Sequence, residues 1–239
     1  MGAAILPRSQ AFCASNIVGY QVVNVPQGFS LFTVTFKDVG GAAFDIKDLI
    51  PCDTNGTKLT SCVQKIRVQK MDASGAYLTV YNYNTAGNRG WCQGTAQLAD
   101  GAVTFADGEA VCINNTLGFD AGIIVSGAVE LNPFSGLMGE GFSLCGNMTP
   151  VPVDLKSLVP YNENDEQITS CVQKIRVQKM DAEGGYLTVY NYNTAGNRGW
   201  CQGTSQLSDG AVMLQPGEAF CVNNTLGYSF KFKFPSPAN

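Results

Sequence analysis

Histidine is absent from this 239-residue chain. Its absence excludes Ser-His-Asp and Cys-His nucleophile activation, histidine-ligated zinc or haem, and switching by imidazole protonation. Charge is scarce as well: Asp, Glu, Lys and Arg make up 14% of residues, too few for a fold of long, charge-rich helices. No apolar run approaches the roughly 18 residues that a transmembrane helix needs. No CxxC occurs, which removes the redox-dithiol and zinc-knuckle readings. The net charge of −4 gives no field that draws in nucleic acid or an anionic membrane, so neither is an expected partner.

What is present is repetition. YLTVYNYNTAGNRGWCQGT stands at 77–95 and again, letter for letter, at 186–204. Residues 61–118 and 170–227 share 48 of 58 positions at an offset of 109, which marks a tandem duplication. Weaker anchors continue it upstream, where FSLF (29–32) answers FSLC (142–145) and FDIKDLIP (44–51) answers VDLKSLVP (153–160). The expected organisation is an N-terminal arm at 1–15, a first β-domain at 16–125 and a second at 126–239. Gly, Asn and Thr between short β-branched and aromatic runs predict an all-β fold of two sandwich-like or barrel-like domains.

VQKIRVQKM and YLTVYNYN flank DASG in the first copy and DAEG in the second, which predicts a hairpin over a type I turn closed by glycine. Pairing Asp72 with Ala76 would set Val68 against Val80 and Arg67 against Tyr81, giving one aliphatic face and one Lys/Arg/Tyr face. AVTF and AVCIN around ADGE suggest a second hairpin. DIKDLI and DLKSLV suit a single helical turn. VVNVPQGFSLFTVTF and GIIVSGAVELN look like further strands.

NIVGYQVVNVPQGFSLFTVTF, followed by VQKMD, YLTVYNYN, GWCQG and GEAVCINN, resembles an uncharacterised bacterial family of secreted, internally duplicated β-rich proteins. The resemblance covers most of the chain. It implies export and a non-catalytic surface role, and assigns no residue a function.

The candidate binding residues are Tyr77, Tyr81, Tyr83, Arg89 and Trp91, repeated as Tyr186, Tyr190, Tyr192, Arg198 and Trp200. Aromatic rings beside Asn and Arg suit a glycan or a protein partner; the same rings also serve as ordinary sheet packing. Asp72, Asp100 and Glu109 recur as Asp181, Asp209 and Glu218 in turn-type sequence, where they cap backbone rather than catalyse. No catalytic residue, metal or cofactor is expected, and the acidic NENDE at 162–166 reads as a solvated loop.

Nine cysteines point to an oxidising compartment and an extracellular or cell-surface location. The spacing suggests Cys92–Cys112 and Cys201–Cys221 disulfides, with Cys52–Cys62 as a third. Cys13 is the candidate for an inter-subunit link, since an odd count leaves one thiol over. The opening MGAAILPRSQAFCAS fits either the tail of an export leader or an ordered arm. Two functions follow: a secreted structural or surface-assembly protein that self-associates, even into a filament, or a bivalent extracellular carbohydrate-binding protein.

Overall fold

The computed structural model describes residues 18–40, 43–72, 74–129, 134–180 and 185–236. Among them no helix exceeds three residues, and the fold is all-β. None is long and apolar enough to cross a membrane. The first repeat runs β1 (Val18–Val25), β2 (Gly28–Thr33), β3 (Phe44–Asp45), β4 (Ile50–Cys52), β5 (Val63–Met71), β6 (Tyr77–Asn84), β7 (Gly90–Gln93), β8 (Ala96–Gln97), β9 (Thr104–Phe105), β10 (Ala110–Asn115) and β11 (Ala121–Ala128). The second runs β12 (Gly141–Gly146), β13 (Val153–Asp154), β14 (Val159–Tyr161), β15 (Val172–Met180), β16 (Tyr186–Asn193), β17 (Gly199–Gln202), β18 (Ser205–Gln206), β19 (Met213–Leu214), β20 (Ala219–Asn224) and β21 (Lys231–Lys233). The expected helical turn lies at Ile46–Asp48 and Leu155–Ser157, where Asp45 and Asp154 accept the N–H groups of Lys47 and Lys156 at 3.0 Å.

Each repeat builds a six-stranded sheet of the same order, β2-β10-β5-β6-β7-β8 and β12-β20-β15-β16-β17-β18. A smaller sheet, β1-β11-β4 or β14-β21, supplies further core residues. Val25, Ile123 and Val125 thereby meet Phe32, Ile66, Val68, Trp91 and Ile113 in one buried cluster. Phe230 and Phe232 meet Ile175, Val177, Trp200 and Val222 in its counterpart. Burying each such side chain contributes about 1.5–3 kcal/mol, and this apolar set drives the sheets together.

The β5–β6 hairpin departs from the expected register. Asp72 does bond Ala76, Gly75 closes the turn at φ 88°, and Met71 pairs with Tyr77. One extra residue on β6 then shifts the pairing, so that Gln69 faces Val80, Val68 faces Tyr81 and Arg67 faces Asn82. A one-residue slip reverses every facing. Tyr81 and Tyr83 therefore join the aliphatic face, while Lys65 and Arg67 are exposed. The turn at 106–109 also forms, with Glu109 N–H donating to Ala106 C=O at 2.9 Å, but its flanking strands diverge. β9 pairs with β3, because both edges of β10 are already taken by β2 and β5.

The repeats do not lie simply in series; they face one another across a seam. Thr33 N–H donates to Gly217 C=O at 3.0 Å, and its counterpart Gly146 N–H donates to Gly108 C=O at 3.3 Å. Phe32 bridges Glu218 while Glu109 bridges Cys145. Between them Leu31, Ala110 and Cys112 pack on Leu144, Ala219 and Cys221. Each of these contacts has its exchanged partner, as in a twofold interface.

No disulfide joins the suggested pairs; the eight described cysteines are buried thiols. Cys92 on β7 and Cys112 on β10 are separated by β5 and β6. Three strand spacings amount to about 14 Å, twice the Cα reach of a disulfide. The same order separates Cys201 from Cys221, and Cys52 lies in the small sheet, away from Cys62. Cys13, Asp181 and the arm at 1–15 lie outside the described residues.

Candidate functional site

Most of the repeated aromatic set is core. Trp91 and Trp200 are 1% and 0% exposed, and their indole N–H groups donate to Leu49 and Leu158 C=O at 2.8 Å. Tyr83 meets Trp91 edge-on at 5.4 Å, as Tyr192 meets Trp200 at 5.3 Å. Burial pushes the Tyr83 and Tyr192 hydroxyls above the usual tyrosine range. Tyr81 and Tyr190 are half-buried against the same clusters. Tyr77 and Tyr186 begin β6 and β16. Arg89 and Arg198 are exposed and donate to Thr95 and Thr204 C=O at 3.3 and 3.4 Å. The structure thus separates the exposed arginines from the buried indoles.

The carboxylates hold turns and lysines. Asp72 accepts from Ser74 and Ala76 N–H and from the Ser74 hydroxyl, which lowers its pKa below the carboxylate range. Asp100 pairs with Lys47, and Asp209 with Lys156 at 2.5 Å. Glu109 pairs with Lys70 at 2.8 Å and Glu218 with Lys179 at 2.6 Å. Glu109 and the Glu218–Lys179 pair border two related grooves along the seam, of about 280 and 420 Å³. Ser143 and Ser30, equivalent in the two repeats, line them and keep hydroxyls without a hydrogen-bond partner.

A second related pair of hollows lies at the other end of each repeat. In the first, of about 670 Å³, Asp53, Lys58, Val63 and Lys65 surround Phe119. In the second, of about 550 Å³, Asn162, Glu163, Glu166 and Gln167 surround Tyr228. Phe119 is 49% exposed and Tyr228 47%, in contrast to the buried Trp91 and Trp200. The loops share one backbone: Asp53 Oδ1 accepts from Asn55 and Thr57 N–H, and Asn162 Oδ1 accepts from Asn164 and Glu166 N–H. Gly56 at φ 81° is replaced by Asp165 at φ 63°.

Their charge differs. Across 53–61 one Asp and one Lys sum to zero, whereas across 162–170 Glu163, Asp165 and Glu166 sum to −3. Asp165 pairs with Lys231, and Glu166 accepts from the Asn162 side-chain amide at 2.9 Å. Among the described residues no group of three acidic or thiol side chains converges to hold a metal. The sequence signal for these hollows is the abrupt loss of repeat identity at 53–58 against 162–167, next to a nearly invariant block. Comparison with protein-family models, curated proteins and solved structures finds no match.

Proposed function

We propose that this protein is a secreted structural or surface-assembly protein in which two sandwich-like β-domains present related surfaces to neighbouring copies. The observation that carries the reading is the pair of exposed aromatic hollows, one at the far end of each repeat, left over after the seam has joined the repeats to each other. Two outward-facing joints on one chain are what a repeating assembly requires. The reading includes an extracellular or cell-surface location, from the family resemblance, and no catalytic activity or cofactor. The arm at 1–15, with Cys13, would add to the inter-subunit contact.

A second reading, a bivalent carbohydrate-binding protein, draws on the exposure of Phe119 and Tyr228 among Asn, Thr, Ser and Gln side chains. Light scattering across a concentration series tests the first: mass should rise with concentration. A monomer at every concentration that binds on a glycan array would favour the second.

A further inference from the structure

The two hollows are built on equivalent backbone, yet they carry opposite chemistry. In the first, Lys58 and Lys65 outnumber Asp53; in the second, Gln167 replaces Lys58, and Glu163 and Glu166 stand where Thr54 and Thr57 do. Lys58, Lys65, Glu163 and Glu166 are all exposed. Each hollow also presents one half-exposed ring, Phe119 or Tyr228.

Their placement follows from the strands. β10 starts at Ala110 in the seam and ends at Asn115, beyond which Leu117 and Phe119 line the first hollow. β20 starts at Ala219 in the seam and ends at Asn224, beyond which Tyr228 lines the second. Each strand spans about 20 Å. The hollows are thus carried away from the seam, each at the far end of its own repeat.

Building on the assembly reading, we propose that the Lys58/Lys65/Phe119 end of one copy docks on the Glu163/Glu166/Tyr228 end of another. The occupant is a second copy because the complementary charges lie on the same chain, with a ring on each side to fill the contact centre. Such a contact joins unlike surfaces, so each added copy leaves one end of each kind exposed, and the association propagates instead of stopping at a dimer.

Sedimentation velocity of the full chain and of two charge variants tests this. Wild type should form faster-sedimenting species with rising concentration, and lose them as salt is raised toward 1 M, where the screening length falls to about 3 Å. Lys58→Glu and Glu163→Lys should each weaken association at least tenfold at low salt. An equimolar mixture of the two should recover it, because each variant's altered end complements the other's. Lys65→Glu repeats the test on the basic side, and far-UV circular dichroism checks that each variant is folded. Association unchanged in the variants, or lost in both without recovery on mixing, would overturn this contact while leaving self-assembly standing. A wild-type protein monomeric at every concentration would overturn both.

Discussion

Thr33 donates its backbone N–H to the carbonyl of Gly217 at 3.0 Å, across 184 residues of sequence, and so ties the edge of one repeat's sheet to a turn of the other. The equivalent bond from Gly146 to Gly108 makes the tie reciprocal. This seam gives the duplicated sequence an intramolecular use.

Gly146 is a sensitive point of the seam. A Cβ there would stand 2.5 Å from Thr33 Cγ2, 2.7 Å from Ala219 Cβ and 2.8 Å from Glu218 O. Gly146→Val should destabilise by about 1–3 kcal/mol, the usual cost of overpacking. Gly139→Ala, where a Cβ would meet nothing within 4 Å, should change stability by less than about 0.5 kcal/mol. Urea unfolding checks both.

The repeated aromatics are a stability feature. Trp91→Ala or Trp200→Ala should cost about 3–5 kcal/mol, since each empties a buried site and orphans a carbonyl. Arg89→Ala and Arg198→Ala should fall within about 0.5 kcal/mol of wild type. Native tryptophan emission should be blue-shifted and shielded from iodide.

The described thiols should be unreactive in the folded protein. Burial pushes Cys52 up to about 11 and Cys145 up to about 12, and holds Cys62 and Cys171 above the usual thiol range. Of nine cysteines eight are described and buried, so Ellman's reagent at pH 8 should find at most one, Cys13. Denaturation without reductant should release at least the eight described thiols. A shortfall on denaturation would mean that disulfides form.

Acid should weaken the fold through the repeated Lys–Asp pairs. Lys47 and Lys156 hold Asp100 and Asp209 below the usual carboxylate range. A depressed folded pKa contributes stability that is present above the unfolded value, about 4, and lost as pH falls through the folded value. Asp100→Asn with Asp209→Asn should therefore flatten the fall in Tm below about pH 4. Both carboxylates are exposed, so the effect is small and screened by salt. A parallel fall in wild type and variant would rule the pairs out as contributors.

The sequence by itself determined the all-β class, the duplication, the Asp72 turn and the helical turns at Ile46 and Leu155, because these rest on short-range causes: β-branched alternation, a capping carboxylate and a glycine of positive φ. Facing and partnership needed the tertiary structure. A single extra residue on β6 turned Tyr81 and Tyr83 inward, and local pattern does not count the residues of a bulge. The Cys92–Cys112 spacing looked like a closed loop until the strand order put β5 and β6 between them. The seam was hidden because Leu31, Ala110 and Leu144 read as ordinary strand residues, and only the folded arrangement set Thr33 against Gly217, two groups that chain proximity never brings together.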